Sequence, residues 1–217
     1  RNKDLIAWLS DVAEKKGNRL IKKDIVGTLW ANFNWNNVSK EGDIQYPNGK
    51  KPISFIKRMI EMTSSENKDD IILDFFAGSG TTAHAIFEQN KEDSISRKSI
   101  IVQLPEVLLE SNREQKASYS FCIKNNLKPT ISELTKERLR RAGKKVREDN
   151  PDWNGDIGFR VFKLDTSNIR PWEATAESLS LQLDAYISPI IEGRSEEDLL
   201  AELMLKRGID LCVNVET

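Results

Sequence analysis

The chain has 217 residues, of which 31% are charged, and its 33 basic side chains almost balance its 34 acidic ones, giving a net charge of −1. This length accommodates one sizeable core and a small second unit, while the balanced charge excludes a surface that attracts nucleic acid everywhere. Cys122 and Cys212 are too far apart in sequence for a metal motif or a disulfide framework, and no apolar run approaches the roughly 20 residues of a membrane span.

The cysteine usage and the lack of a signal sequence predict a cytoplasmic protein with no metal site and no membrane contact. We expect both cysteines to be buried apolar residues. The sequence opens at Arg1 inside a helical pattern, without an initiator methionine, and we interpret the chain as part of a longer protein.

The first fifty residues combine a helix with an irregular segment. The apolar spacing predicts an amphipathic helix over residues 3–15, which Gly17 and Asn18 end. Its inward face holds Leu5, Trp8, Leu9 and Val12. Residues 20–50 are rich in tryptophan and asparagine and predict no regular element. Their aromatic side chains either contact a ligand or DNA or pack against the core, and we favour packing.

A second helix follows Lys51 and Pro52, since proline suits the first position of a helix. Its predicted apolar face holds Ile53, Ile56, Met59 and Ile60. A polar connection then leads into the central stretch of the chain.

Residues 71–82 form the stretch around which the chain is organised. They begin with an apolar run typical of a strand buried on both faces, pass Asp74 and turn at Gly78 and Gly80. The helix after the turn is expected to pack back on the strand through Ala83, Ile86 and Phe87. A strand, a glycine turn and a helix N-terminus in this order are the usual site of a nucleotide-like cofactor.

The next elements are a second strand and a long helix. The interval between residues 71–73 and the apolar run 99–104 suits a right-handed crossover, so the two strands should be parallel and adjacent. Thr130 and Glu133 have the spacing of a capping box and open a helix through about residue 148. Its predicted inward face holds Ile131, Leu134, Leu139, Ala142 and Val146.

The opposite face of this long helix is basic. It carries Lys136, Arg138, Arg140, Arg141, Lys144, Lys145 and Arg147. Such a face either contacts DNA phosphates or is solvated, and the interspersed glutamates favour a solvated face.

The last third of the chain predicts one strand and two helices. Residues 159–164 alternate with period two, which indicates a third strand. Helices are predicted over residues 173–186 and from Ser195, where Asp198 completes a capping pattern, to Gly208.

The glycine turn leaves two classes of cofactor open. Residues 78–83 satisfy the G-x-G-x-x-A pattern of dinucleotide sites, although no lysine follows the glycines as it does in a P-loop. Asp74 would repel a pyrophosphate, whereas it would attract the positive ammonium and sulfonium groups of S-adenosylmethionine. This charge argument favours S-adenosylmethionine. In the alternative interpretation, Asp74 only caps the backbone amides of the loop.

A ribose-binding group is expected near the end of the second strand. Gln103 and Glu106 both lie there, and either can serve, although Gln103 is also consistent with a plain polar strand end. His84 is the chain's single histidine, and we expect it on the surface or between helices.

These motifs carry a family resemblance. The run Asp-Phe-Phe-Ala-Gly-Ser-Gly-Thr-Thr at residues 74–82 resembles the cofactor motif of amino-methylating DNA methyltransferases with the permuted β order, and Lys51-Pro52 with its helix resembles the motif that precedes it. Residues 102–106, 135–143 and 158–168 are similar to more specific segments of the modification (Mod) subunit of type III restriction-modification systems. The resemblance covers most of residues 37–210.

The resemblance implies an α/β fold, with a partial Rossmann-like class I methyltransferase sheet and a helical C-terminal tail. It divides the chain into residues 1–50, which follow the target-recognition region, residues 51–165, which bind S-adenosylmethionine, and residues 166–217, which serve assembly. The full-length parent would methylate N6 of adenine in double-stranded DNA, pair with a restriction subunit that contains a helicase motor, and form a homodimer.

The resemblance also assigns the pocket of the methyl donor. The residues it carries over are Lys51, Pro52, Ile53, Asp74, Phe75, Phe76, Ala77, Gly78, Gly80, Thr81 and, for the ribose, Gln103 or Glu106. One of the two phenylalanines would pack near the adenine, and burial of the other is equally consistent. The family's Asp-Pro-Pro-Tyr type motif, which holds the flipped-out base, is absent from the sequence. We expect it upstream of Arg1 and expect no catalysis by the chain itself.

Overall fold

The computed structural model describes residues 12–22, 30, 33–36, 38–47, 49–64, 70–173, 175 and 177–215. The chain forms two compact units that divide between Ile157 and Gly158. The first unit is a mixed α/β fold with a small parallel sheet, and the regular elements of the second are helices. None of the described helices combines the length and the apolar character needed to cross a membrane.

A β-hairpin opens the described part of the first unit. Strand β1 (Ala13–Lys16) pairs antiparallel with strand β2 (Arg19–Lys22). Gly17, with φ of +60°, turns the chain between them, because a two-residue hairpin turn needs positive φ. The predicted helix is therefore wrong over residues 13–15, where the glycine turn pairs two strands instead of ending a helix. Its earlier part, residues 3–11, lies outside the described residues.

An aromatic cluster covers the next helix. After a 3₁₀ turn (Val38–Lys40), helix α1 (Ile53–Thr63) presents Phe55 to three aromatic rings. The rings of Trp30, Phe33 and Trp35 lie with their centroids 5.6, 5.2 and 5.4 Å from that of Phe55. The aromatic rings thus pack on helix α1, but they are not core residues, because Trp30 and Phe33 are only partly buried and Trp35 is 51% exposed.

Helix α1 begins one residue later than predicted, with Pro52 at the N-cap and Ile53 as its first residue. Ile53 and Ile60 are buried, but Met59 is exposed. The prediction of an inward Met59 was wrong, because the buried stripe of the helix is narrower than the apolar pattern.

The central strands are parallel neighbours, as predicted. Strand β3 (Ile71–Asp74) pairs in register with strand β4 (Lys98–Ile101), which is shorter than the predicted run. Ile72 packs against a buried helical cluster, whereas Ile71 and Leu73 on the opposite face are 60% and 58% exposed. The prediction of a strand buried on both faces was wrong, because within the described part of the chain helices cover one face of this sheet.

Three further helices complete the core. Helix α2 (Thr81–Asp93), helix α3 (Lys116–Lys124) and the long helix α4 (Ile131–Asp149) follow in the chain. Helix α2 lies between α1 and α4, and α3 also packs on α4. The predicted inward residues of α2 and α4 are confirmed as buried. In the connection after α2, Arg97 is buried and binds Asn90 and Asp93.

The second unit contains helix α5 (Leu179–Ala185) and helix α6 (Glu196–Arg207). The predicted capping box at Ser195 and the end of α6 at Gly208 are confirmed, whereas α5 is shorter than residues 173–186. The predicted strand over residues 159–164 is wrong: this segment is irregular and Leu164 is fully exposed. Alternation alone does not make a strand when no neighbouring strand accepts its hydrogen bonds.

The two cysteines have different environments. Cys122 is buried in the first unit, as predicted, but Cys212 is exposed in the second. The prediction for Cys212 was wrong, because apolar neighbours in the sequence did not bring it into a core.

Candidate functional site

The most distinctive site of the first unit is the loop between β3 and α2, at the C-terminal ends of the parallel strands. The amide of Ala77 donates to the carbonyl of Val102 at 3.1 Å, which ties the loop to the chain leaving β4. Gly78 and Gly80 have φ of +52° and +78°, in the left-handed region that glycine adopts without strain. Residues 74–80 therefore form a tight turn directly before the N-terminus of α2.

Asp74 orders this loop with both oxygens of its carboxylate. Oδ1 accepts from the amide of Phe76 at 3.1 Å, and Oδ2 accepts from the hydroxyl of Thr82 at 2.6 Å. The capping role that the sequence left open is thus present. A carboxylate has about four acceptor positions, so the partly exposed group retains capacity for a cationic ligand.

Gln103 binds the loop from the segment that follows β4. Its Oε1 accepts from the amide of Gly78 at 2.7 Å, and its Nε2 donates to the carbonyl of Leu104 at 3.1 Å. Glu106 is exposed, and its backbone carbonyl accepts from the amide of Ile131 at 3.0 Å. Of the two candidate ribose ligands, the structure brings Gln103 to the glycine loop.

Two aromatic side chains project beside the turn. Phe75 and Phe76 are 63% and 81% exposed, with ring centroids 5.1 Å apart. Burial of one of them, which the sequence left open, does not occur. Ala77 and Thr81 are buried, so their side chains offer a ligand little surface.

Helix α4 supports the loop from below. The hydroxyl of Thr135 donates to the carbonyl of Gly78 at 2.6 Å, and a Cβ added to Gly80 would lie 3.0 Å from Cγ2 of Thr135. One turn later, Arg138 is completely buried. Its Nη1 donates to the hydroxyls of Ser79 and Thr81 at 2.9 and 2.8 Å.

The structure corrects the prediction for Arg138 and decides between the two alternatives for His84. Arg138 was placed on the solvated basic face, but it is buried and donates from Nε to Nδ1 of His84 at 3.2 Å. His84 is also buried, so only the interhelical alternative for it is correct. The positions of Leu134 and Ala142, four residues before and after Arg138, were a usable signal, because residues at this spacing share one helix face.

Burial disfavours the charged forms of these two groups. Desolvation lowers the pKa of the Arg138 guanidinium to about 10, against the opposing charges of Glu41 and Glu88. At this value the guanidinium remains protonated at neutral pH. It is therefore a permanent buried cation beneath the glycine loop.

The segment before α1 is the second part of the predicted site. Glu41 accepts from the amide of Ile53 with both carboxylate oxygens, at 3.1 and 3.3 Å. Pro52 is buried, while Lys51 is exposed and its Nζ lies 5.8 Å from the ring centroid of Trp35. Residues 51–53 thus contribute backbone, one buried ring and one cation held near an aromatic face.

A cleft elsewhere in the first unit is a different feature. It has a volume of about 710 Å³ and lies among the 40–43 segment, α1, α2 and α4. Among the described residues that line it, which include Lys57 and Glu88, there is none from the glycine loop. Several of its charged groups are paired with each other, as in the contact between Lys57 and Glu88 at 3.5 Å. We therefore place the candidate site at the loop, which is an open surface.

The chemistry of the loop follows from its groups. It combines one carboxylate, two exposed aromatic rings, a carboxamide and a glycine backbone that a ligand can approach closely. Residues 74–82 contain no lysine or arginine that could bind a phosphate. The described residues hold no group of three His, Cys, Asp or Glu side chains arranged for a metal. The arrangement suits a ligand with a positive group and a flat ring.

Comparison with protein families gives one match over most of the first unit. The model of the family described as DNA methylase matches residues 3–137. The matched segment contains helix α1, the strands β3 and β4, the glycine loop, and Thr135 of α4.

Three curated proteins are similar to parts of the chain. The Type III restriction-modification enzyme StyLTI Mod subunit of Salmonella typhimurium is 36% identical over 129 residues, which are 59% of this chain and 18% of that protein. The "Probable type III restriction-modification enzyme HindVI Mod subunit" of Haemophilus influenzae is 42% identical over 92 residues, 42% of this chain and 12% of that protein. The Type III restriction-modification enzyme EcoP15I Mod subunit of Escherichia coli is 39% identical over 114 residues, 52% of this chain and 15% of that protein. The matched part of the chain thus corresponds to less than a fifth of each relative.

Proposed function

The chain belongs to the DNA methylase family, and we propose that its glycine loop binds S-adenosylmethionine as the methyl-donor half of a DNA methyltransferase site. When bound, this cofactor supplies a methyl group on a positively charged sulfur. The parallel β3-α2-β4 arrangement supports a partial Rossmann-like class I methyltransferase sheet. In this proposal the chain has three parts: residues 51–165 bind the cofactor, residues 1–50 follow the target-recognition region, and residues 166–217 serve assembly.

The position of Asp74 carries this proposal. Its carboxylate ends β3 and fixes the loop through Phe76 and Thr82, and its remaining acceptor capacity belongs to a loop, residues 74–82, that contains no lysine or arginine. A negative group here attracts the α-ammonium and sulfonium of S-adenosylmethionine and repels the pyrophosphate of a dinucleotide. The loop with the G-x-G-x-x-A pattern is therefore proposed to bind a cationic ligand and not a dinucleotide.

The other site residues have complementary roles in the proposal. Exposed Phe75 and Phe76 offer surfaces on which the adenine stacks. Gly78, together with Ala77, Gly80 and Thr81, allows the ligand to approach the backbone. Gln103 binds the ribose hydroxyls beside the loop, with Glu106 as the alternative, and residues 51–53 close the methionine end.

The reaction and the partners of the whole protein follow from the relatives. Proteins named as type III Mod subunits match the chain, so we propose methyl transfer to N6 of adenine in double-stranded DNA within a type III system. In this reaction the N6 nitrogen forms a bond to the methyl carbon, the bond from sulfur to that carbon breaks, and N6 loses a proton. The partners would be a restriction subunit and a second copy of the full-length subunit.

The 217 residues contain no Pro-Pro pair and hence no Asp-Pro-Pro-Tyr type motif. The groups that accept hydrogen bonds from the target amine are therefore proposed to come from another part of the protein. The chain alone should hold the methyl donor without transferring its methyl group to DNA.

Calorimetric titration of the chain tests the proposal. We expect S-adenosylmethionine to bind with one ligand per chain, and NAD to show no binding over the same range of concentrations. Binding of NAD without binding of S-adenosylmethionine would overturn the proposal and favour a dinucleotide-dependent oxidoreductase.

A second role in assembly is proposed for the helical unit. Leu181, Ile187 and Leu205, in and beside its helices, are large apolar side chains that are 74%, 84% and 63% exposed. Such residues suit a surface that binds a second Mod chain or the restriction subunit. Sedimentation velocity should show association of the chain, and loss of association after Leu181→Glu and Ile187→Glu. Unchanged sedimentation would contradict this role.

A further inference from the structure

The guanidinium of Arg138 lies under the glycine loop, where a ligand bound at the surface cannot contact it. Arg138 has no solvent exposure. It donates from Nη1 to the hydroxyls of Ser79 and Thr81, at 2.9 and 2.8 Å, and from Nε to Nδ1 of His84, at 3.2 Å. These contacts fix the last turn of the loop and the first turn of α2 against α4.

The same guanidinium reaches the segment before α1. Its Nη2 lies 3.6 Å from Oε2 of Glu41, and Glu41 accepts from the amide of Ile53. Lys50 holds this segment from the other side, since its Nζ donates to the carbonyls of Ser39 and Glu41 at 2.8 and 2.7 Å. Arg138 therefore contacts the glycine loop directly and is linked to residues 51–53 through Glu41.

The chain provides room for this group at Gly42. A Cβ at that position would lie 2.7 Å from Nε and 2.9 Å from Cγ of Arg138, and Gly42 has φ of +76°. Both the close approach and the backbone conformation favour glycine. The guanidinium is thus enclosed by residues from the 41–42 segment, the loop, α2 and α4.

We infer that Arg138 is a positioning residue that holds the glycine loop and residues 51–53 in the one arrangement that binds the methyl donor. The inference rests on the proposed function, because it assumes that the loop binds S-adenosylmethionine. Arg138 acts through Ser79, Thr81 and Glu41 and does not touch the ligand.

The geometry requires arginine rather than any cation. Its planar group presents five N–H donors in a fixed fork, which here point in three directions, toward the loop hydroxyls, His84 and Glu41. A lysine ammonium would retain the charge but would leave part of this set without a donor. Lysine at position 138 should therefore hold the loop and residues 51–53 less well than arginine does.

Amide hydrogen exchange of the ligand-free chain tests the coupling independently of the cofactor. In Arg138→Met, we expect exchange to accelerate by about tenfold or more at Gly78, Gly80 and Ile53 together, since the loop hydroxyls lose their hydrogen bonds and Glu41 loses its ion pair with the guanidinium. Arg140→Met is the matched control, because Arg140 lies on the same helix with a side chain that is 52% exposed. Acceleration at the loop alone, at Ile53 alone or at neither would overturn the inference.

Cofactor affinity supplies the second readout, at a temperature where circular dichroism shows each variant folded. Arg138→Met should weaken S-adenosylmethionine binding by about tenfold or more, Arg138→Lys should recover part of this loss, and Arg140→Met should bind as the wild type does. Wild-type affinity in folded Arg138→Met would overturn the inference.

A less disruptive variant covers the case in which Arg138→Met does not fold. Ser79→Ala with Thr81→Val removes the loop acceptors and leaves the guanidinium and its contact with Glu41 in place. Exchange should therefore accelerate at Gly78 and Gly80 and stay at the wild-type rate at Ile53, and wild-type rates at the loop would count against the inference. If the wild-type chain does not bind S-adenosylmethionine, the proposed function fails, and hydrogen exchange still decides the role of Arg138.

Discussion

At the scale of single residues, the candidate site is built from side chains that bind backbone. Asp74 and Gln103 hold the amides of Phe76 and Gly78, and Thr135 holds the carbonyl of Gly78 from below. The turn is thereby fixed before any ligand arrives, which reduces the ordering cost of binding. Its positive φ angles place two glycines where other residues would be strained.

Gly80→Ala should destabilise the first unit more than Gly49→Ala. The two glycines have nearly equal φ, +78° and +79°, so the backbone strain of an alanine should cost about 1–2 kcal/mol at each position. At Gly80 the new Cβ would also meet Cγ2 of Thr135 at 3.0 Å, whereas at Gly49 it meets nothing within 4 Å. Urea denaturation of both variants should show an additional loss of about 1 kcal/mol for Gly80→Ala. Equal losses would contradict the close packing of the loop on α4.

His84 makes the stability of the first unit dependent on pH. Its Nδ1 accepts from Arg138, and its Nε2 lies 3.3 Å from Oε1 of Glu88, so the neutral ring has both nitrogens occupied. Burial lowers the pKa of His84 from 6.5; the hydrogen bond and charge of Glu88 oppose this, as does Glu41, and the charge of Arg138 lowers it further. On the helix that packs against α2 from the other side, Lys57 faces Glu88.

The sign of the pH effect follows from this lowered pKa. Below about pH 6.5 the unfolded chain binds a proton at His84 that the folded chain does not yet bind. The free energy of unfolding should therefore decrease as the pH is lowered, by at most about 1.4 kcal/mol per pH unit. His84→Asn keeps an acceptor toward Arg138 and cannot take up the proton. Urea denaturation between about pH 6.5 and 5.5 should show a flatter slope for the variant, and identical slopes would refute this account.

At the scale of elements, helix α4 shows what the sequence can predict. The Thr130 cap and the apolar spacing gave its start, its length and its buried stripe, because these signals are local. The burial of Arg138 was not predicted, since a buried guanidinium is stable only with partners such as Ser79, Thr81 and Glu41, which are far away in sequence.

Other elements were misjudged for related physical reasons. An apolar run such as residues 71–73 predicts a strand but does not report how many layers cover it. The alternation of residues 159–164 needs a neighbouring strand to become a ladder. The hairpin turn at Gly17 was mistaken for a helix end, because glycine has positive φ in both.

The N-terminal cap of α4 offers a test at this scale. The hydroxyl of Thr130 accepts from the amide of Glu133 at 3.3 Å. Thr130→Ala should lower the free energy of unfolding by about 1 kcal/mol, whereas Thr130→Ser keeps the acceptor and should lose only a few tenths. Thermal and urea denaturation provide the comparison. A Thr130→Ala chain as stable as Thr130→Ser would show that the cap does not stabilise the helix.

At the scale of the whole molecule, the site and the proposed assembly surface belong to different units. The loop, its supporting helix and the segment before α1 all lie before Gly158, and the exposed apolar residues of α5 and α6 lie after it. Compact units of this kind commonly fold separately. Cofactor binding should therefore depend on the first unit.

Truncation after Ile157 tests this separation. The shortened chain should bind S-adenosylmethionine with an affinity within about twofold of the full chain, because each of the contacts described for the loop is retained. Isothermal titration provides the measurement, and circular dichroism provides the control for folding. Loss of binding by a folded truncated chain would contradict the assignment of the site to the first unit.

The most direct test of the central claim compares two ligands and one isosteric change. Asp74→Asn keeps the size of the side chain and an acceptor for Phe76 but removes the negative charge. It should weaken binding of S-adenosylmethionine by about tenfold or more and leave binding of 5′-methylthioadenosine, which lacks both positive groups, nearly unchanged. Asp152→Asn, at an exposed turn, is the control. Equal effects of Asp74→Asn on both ligands, or wild-type affinity for S-adenosylmethionine, would contradict a site in which this carboxylate holds the methyl donor.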